Sequence, residues 1–250
     1  MTVTFPKGFE AAGIRSGLKK SGNHDLALVV NRGPLSAAAT VFTTNRCQAN
    51  PVIWSRQVMA DGQVAAIVLN SGGANCYTGS VGFQTTHATA EQVATELQVS
   101  AGDVLVCSTG IIGVQLDRTK LLAGVSEAAR SLSSDGGQDA ALAIMTTDKV
   151  SKTAQRESNA GWRIGGMAKG AGMLAPALAT MLVVITTDAD VSAADADAAL
   201  RQAVSLSFDR IDSDGCMSTN DTVFLLANGA SGVSPAPTEF TEVLTTVCLD

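Results

Sequence analysis

The chain has 250 residues, a net charge of −6 and a pI near 4.9, and at 46% hydrophobic and 16% charged it can bury the core of one large domain or two small ones. The acidic balance argues against a nucleic-acid or anionic-membrane partner. The apolar runs are too short and too broken by Gly, Thr and Asp to span a bilayer, and the start, MTVTFPKGFEAAG, lacks the apolar centre of a signal peptide. Five cysteines (Cys47, Cys76, Cys107, Cys216 and Cys248) are odd in number and far apart, with no CxxC, so neither a disulfide framework nor a zinc site is expected. A soluble cytoplasmic protein without a metal is the expectation.

In chain order, apolar runs bounded by turn residues predict strands over 26–31, 37–42, 64–70, 104–107, 181–187 and 223–227. Most are continuous rather than alternating, which suits strands covered on both faces. Helices are predicted between them. ATAEQVATEL gathers Ala90, Val93, Ala94 and Leu97 on one face, with His87 in the first turn. RTKLLAGVSEAARSL does the same with Leu121, Leu122, Val125, Ala128, Ala129 and Leu132, and Asp117 stands ready as its cap. SAADADAALRQAVSLSF opens with Ser192 and carries Asp195 three residues on, a variant of the capping box. This alternation of strand and helix predicts an α/β fold. SLSSDGGQD (131–139) is the clearest loop and a candidate boundary, although apolar segments continue on both sides.

The last segment, TEFTEVLTTVCLD, places Phe240, Val243, Leu244, Val247 and Cys248 at helical spacing, and no glycine, basic turn or proline closes it. Two readings are open: a helix fraying at a natural terminus, or a chain cut short of its full domain. The second is favoured, because an apolar helix face needs something to pack on.

Chemistry has few carriers. Of two histidines, His24 and His87, neither lies in a nucleophile–base motif, so a His-dependent triad has little support. GGMAKGAG resembles a phosphate loop but lacks the Lys-Ser/Thr pair and runs into a strand rather than a helix. CSTGIIG (107–113) follows a strand and precedes a helix; its Thr109-Gly110 turn either aims a backbone N–H and the Thr109 hydroxyl at a developing oxyanion or is an ordinary strand-to-helix turn. PALATMLVVITT puts Thr180 at the start of a strand, behind a stiff Pro176 and the small Ala179. Thr180 is then either a plain β-branched strand residue or a nucleophile. Threonine is a poor nucleophile without a base. Cutting the chain before it supplies one, its own α-amine, whose pKa of ~7.7–8.0 leaves a useful neutral fraction.

The second reading gains from a resemblance. KGAGMLAPALATML resembles the self-cleavage segment of the ornithine acetyltransferase family, the bifunctional glutamate N-acetyltransferases of arginine biosynthesis, and the actinobacterial members in particular. AAGIRSGLKKSGNHDLALV, LNSGGANCYTG, CSTGIIG, AIMTTD, GGMAKGAGMLAP and STNDT follow in that family's order and near its spacing. The resemblance implies a layered sandwich of β-sheets flanked by helices, with the chemistry of amino-terminal nucleophiles. It implies cleavage between Ala179 and Thr180 into an alpha chain (1–179) and the start of a beta chain (180–250), assembled as a heterotetramer. Thr180 matches the nucleophile, Thr109 and Gly110 the oxyanion hole, and Thr146, Lys169 and Thr180 the substrate-binding positions. The implied reaction moves acetyl from N-acetylornithine to glutamate without cofactor or metal, with acetyl-CoA as an alternative donor. An amidase or aminopeptidase-like hydrolase using the same threonine, or a non-catalytic α/β domain, are the rival readings. Family members continue past residue 250, and their later substrate-contacting glutamate and C-terminal binding residues have no counterpart in this chain.

Overall fold

Continuous apolar strands need cover on both faces, and two sheets stacked between helical layers supply it. The computed structural model describes residues 2–173 and 181–250. In chain order the elements are β1 (Phe9–Ile14), β2 (Leu26–Asn31), β3 (Ala37–Phe42), α1 (Asn50–Val58), β4 (Ala66–Gly73), α2 (Gly79–Leu97), β5 (Val104–Ile111), α3 (Arg118–Arg130), α4 (Gly137–Ala143), β6 (Lys152–Glu157), β7 (Arg163–Lys169), β8 (Leu182–Thr187), α5 (Ala193–Leu206), β9 (Thr222–Ala227) and α6 (Pro237–Leu249). One sheet has the order β1-β2-β4-β5, and the other β3-β9-β8-β7-β6. The pairs β4–β5 and β8–β9 are parallel; the remaining pairs are antiparallel.

Alternate side chains divide each strand between two cores. Val29, Ile67, Leu69 and Leu105 of the first sheet meet Met167, Leu182, Val184 and Phe224 of the second. Leu28, Val68 and Val106 point the other way, onto Val93 of α2 and Leu121 and Val125 of α3. Val183, Ile185, Val223 and Leu225 face outward onto α5 and α6. The expected α/β sandwich is therefore a four-layer one, helix–sheet–sheet–helix. Residues 182–187 and 222–227 form adjacent strands between β3 and β7, so both halves of the chain share one sheet.

Several expectations are corrected. The helix expected to open at His87 begins at Gly79; His87 lies inside α2, exposed, 3.6 Å from Glu91 and with its ring tilted against that of Trp54. The stretch 131–139 is no boundary: Ser133 bridges to Ala11 and α4 begins at Gly137, packing on β1 and β2. The apolar face of the last helix has its partner within the chain, since Phe240, Leu244, Val247 and Cys248 are buried and Phe240 lies against Trp162. The glycine-rich Arg163–Lys169 is a strand paired on both sides, and its Gly165 is needed because a Cβ there would stand 2.0 Å from the Thr2 carbonyl oxygen. The two caps hold: Lys120 N–H donates to Asp117 Oδ1 (3.1 Å) and Asp195 N–H to Ser192 Oγ (3.1 Å). Among the described residues no helix is long and apolar enough to cross a membrane.

Candidate active site

The parallel pair β4–β5 ends in an irregularity. Its register slips at Gly72 and Gly73, opposite Thr109, Gly110 and Ile111. Gly110 has φ +128°, and a Cβ there would come within 2.7 Å of the Gly72 carbonyl carbon and the Gly73 nitrogen. Only glycine tolerates both conditions. Thr109 and Gly110 thus belong to the end of a bulged strand, not to the strand-to-helix turn that CSTGIIG suggested; Thr109 is 2% exposed and Gly110 is open to solvent. The neighbouring Asn70 braces this end, accepting from Ser108 Oγ (2.6 Å) and donating to the Gly73 carbonyl (3.2 Å). The loop before β2 is held beside it by Asp25, fully buried, which accepts from the backbone N–H groups of Ser16, Leu18 and Lys19.

Lys169 closes β7 and is 2% exposed. Its Nζ donates to Thr146 Oγ1 at 3.3 Å, so two residues singled out from separate motifs stand together. Asp148 sets their placement. It accepts from the Thr146 N–H (3.2 Å), the Gly170 N–H (2.8 Å) and Lys152 Nζ (2.5 Å). Burial opposes its charge, but Lys152 and the two amides outweigh it and hold the carboxyl below its ordinary range. Burial drives Lys169 the other way, down to about 8, with Asp148 and Asp221 resisting.

Asp221 precedes β9 and is fully buried. Its Oδ1 accepts from the Met181 N–H at 2.9 Å, one residue before β8, while Oδ2 has no hydrogen-bond partner among the described residues. Burial raises this carboxyl to about 7 against the pull of the Met181 N–H, the Ser218 hydroxyl and Lys169; Ser218 lies close enough to favour the anion without hydrogen-bond geometry to Oδ2. Asn220, the residue before, ties this corner to the first sheet, donating through Nδ2 to the Ala74 (2.7 Å) and Ser108 (2.8 Å) carbonyls.

The candidates therefore fall into two linked groups. Thr146 and Lys169 meet at the end of β7. Thr109 and Gly110 stand at the end of β5, joined to Asp221 through Ser108 and Asn220 rather than by direct contact. Ala179 and Thr180 lie outside the described residues. Asp148, Asn220 and Asp221 were not singled out in the sequence, although AIMTTD and STNDT contain them. The available signal was an acid set among Thr, Ser and Asn beside an apolar strand, in a chain with few charges.

This arrangement offers a buried cation for a carboxylate and a buried acid of near-neutral pKa at the start of β8, with a strand end open at a glycine tied to them through Asn220. Such shifted groups are characteristic of catalytic sites.

Comparison with known proteins gives the arrangement a context. The ArgJ family profile matches residues 10–250. The arginine biosynthesis bifunctional protein ArgJ of Streptomyces coelicolor is 62% identical over 250 residues, all of this chain and 65% of that protein. Its counterpart in Thermobifida fusca is 57% identical with the same coverage, 100% and 65%. The chain thus spans about 65% of the length of these curated relatives. The crystal structure of ornithine acetyltransferase from Mycobacterium tuberculosis, complexed with ornithine, superposes with a TM-score of 0.69 at 51% identity, over 71% of this chain and 96% of that one. A beta-aminopeptidase from Burkholderia sp. shares the fold alone, at 15% identity and a TM-score of 0.62, over 99% of this chain and 82% of that one.

Proposed function

The chain belongs to the ArgJ family, and from that premise we propose that the protein is an acetyltransferase of arginine biosynthesis, moving acetyl from N-acetylornithine to glutamate. The observation that carries the reading is the buried Lys169 ammonium directed at Thr146 beside the strand that follows Thr180. Substrates that share an α-amino-acid end need one cation for one carboxylate, and Lys169 is largely protonated below about 8.

In this reading the chain cuts itself between Ala179 and Thr180. The Thr180 hydroxyl attacks the acetyl carbonyl of N-acetylornithine while its freed amine takes the hydroxyl proton. Thr109 and Gly110 hold the oxyanion. The amine passes the proton to departing ornithine, and acetyl remains on Thr180 as an ester. Glutamate then attacks that ester and leaves as N-acetylglutamate, restoring the hydroxyl. No metal or cofactor enters; acetyl-CoA is an alternative donor of the same group. Cleavage there divides the chain into an alpha chain, 1–179, and the start of a beta chain, 180–250. Pairs of alpha and beta chains form a heterotetramer in the cytoplasm.

Steady-state rates of the full-length protein, with both substrates varied, test the cycle. Parallel double-reciprocal lines are expected. Intersecting lines would replace it with direct transfer in a ternary complex. Ornithine release that is equally fast without glutamate would make the protein a hydrolase.

A further inference from the structure

A strand at the edge of a sheet turns one row of backbone groups away from its neighbour, and those groups seek partners. β3 is such a strand, with β9 as its only neighbour in the sheet order. Backbone bonds in an antiparallel pair alternate in direction. Thr43 N–H, just past the strand, turns inward to the Asp221 carbonyl at 2.9 Å, so the odd-numbered residues face β9 and the even-numbered ones face outward. The chain covers the first part of this outer row itself. Ala38 N–H donates to the Gly62 carbonyl (2.9 Å), and the Ser36 carbonyl accepts from Val64 N–H (2.9 Å). Beyond that point the cover stops. The backbone N–H and C=O groups of Thr40 and Phe42 continue the row and have no hydrogen-bond partner among the described residues.

This stretch borders a groove of about 530 Å³ between Arg56 of α1 and Arg201 of α5. Thr40, Phe42, Thr44 and Gln48 line it with the two arginines, and among the described residues no acidic one does. Arg56 is exposed and lies over the Phe42 ring, 4.8 Å from its centroid, with no carboxylate partner among the described residues. Arg201 holds Asp197 through Nε (2.8 Å) and Nη2 (2.9 Å), which fixes the guanidinium and leaves Nη1 for a further acceptor. The two cations serve opposite faces of the sheet. Phe42, beneath Arg56, packs into the core between the sheets, whereas Val41 packs toward α5, which carries Arg201.

In a chain of net charge −6, two arginines flanking an unpaired strand edge define the occupant. An extended backbone satisfies the row at Thr40 and Phe42. Successive side chains of an added strand point to opposite faces, so carboxylates on neighbouring residues meet Arg56 and Arg201 one each. We infer that the groove beside residues 40–42 binds an extended acidic peptide segment of another protein as an added strand, an interaction separate from acetyl transfer. A second copy of this chain fits poorly, because a two-fold axis along the edge would set the arginines of one copy against those of the other.

The probe comes from selection of a random decapeptide library against the full-length protein. Peptides with Asp or Glu at neighbouring positions are expected. The selected peptide should bind Arg56→Glu about 10-fold or more weakly than wild type, while Arg56→Lys keeps part of the affinity. Thr40→Pro removes an outward N–H without touching the β9 ladder and should weaken binding as well. Amide exchange at Thr40 and Phe42 should slow when the peptide binds, with Val41, already paired to β9, unchanged. Failure to select any peptide, selection of sequences without acids, or unchanged affinity for Arg56→Glu would overturn the proposal. So would slow exchange at Thr40 and Phe42 in the peptide-free protein, because the edge would then be covered by the protein's own chain or by a second copy, which sedimentation tells apart. Should Thr40→Pro fail to fold, Arg56→Glu, at an exposed helix position, decides the matter alone.

Discussion

Replacing Lys169 with Met should make the protein more stable near neutrality and less able to bind its substrates. Lys169 titrates at about 8 in the fold, against 10.5 in the unfolded chain. Below about 8 both states carry the charge, but the folded state holds it in a buried place, so folding is handicapped. The handicap fades as pH climbs from about 8 towards 10.5, where the unfolded chain also releases its proton. At ~1.36 kcal/mol per pKa unit it amounts to about 3 kcal/mol at pH 7 and about 1 kcal/mol at pH 9.5. The variant is free of it but loses the bond to Thr146, worth about 1 kcal/mol. Asp221, without its cation, ionises later and loses stability over part of the same range, which acts in the same direction. The stability advantage of Lys169→Met over wild type should therefore shrink by about 2 kcal/mol between pH 7 and pH 9.5. Urea unfolding at the two pH values measures this directly. In parallel, KM for N-acetylornithine and glutamate should rise about 10- to 150-fold, the equivalent of about 1.5–3 kcal/mol for a hydrogen bond to a charged group. A stability difference that does not change with pH would refute the buried-cation argument. Unchanged KM values would refute the carboxylate-binding role.

Asp148→Asn should destabilise by about 1–3 kcal/mol, since one carboxylate holds Lys152 and the Thr146 and Gly170 amides. Because that carboxyl is held below its ordinary range, its stabilisation is complete above the unfolded pKa of ~3.9 and lost as pH falls through the lower folded value; the variant should lack this acid-side decline in a melting series. Gly110→Ala should cost about 2–4 kcal/mol, combining a positive φ with a clash against the Gly72–Gly73 backbone; an unchanged melting temperature would show that the strand end adjusts freely.

The strands that carry the core were legible because burial on both faces leaves an unbroken apolar run, as in LALVVN of β2 and LVVITT of β8. Other elements left weaker traces. KTAQRE of β6 is an exposed edge strand whose polarity hides its pairing with β7. RIGGMAK of β7 reads as a loop because its glycines answer a close backbone approach at Thr2, which no local pattern announces. NPVIWSRQV of α1 starts without a side-chain cap, leaving Pro51 as its chief local marker. The final helix misled in another way: its apolar stripe was plain, but the surface that covers it, α5 with Trp162, is assembled from distant segments. At the site, Lys169 and Thr146 could be named from motifs, whereas their meeting depends on Asp148 pinning two loops. Asp221 gains its character from burial against Lys169 and the Met181 N–H, a tertiary effect of which STNDT carries only the compositional trace of an acid among Ser, Thr and Asn.

The central claim is that Thr180 carries the acetyl group. The most direct measurement is mass spectrometry of full-length protein after brief exposure to N-acetylornithine alone. The account predicts two polypeptides, the second beginning at Thr180 and heavier by one acetyl group, with the added mass on its first residue and removed by glutamate. An intact, unmodified chain that nevertheless transfers acetyl at full rate would contradict it.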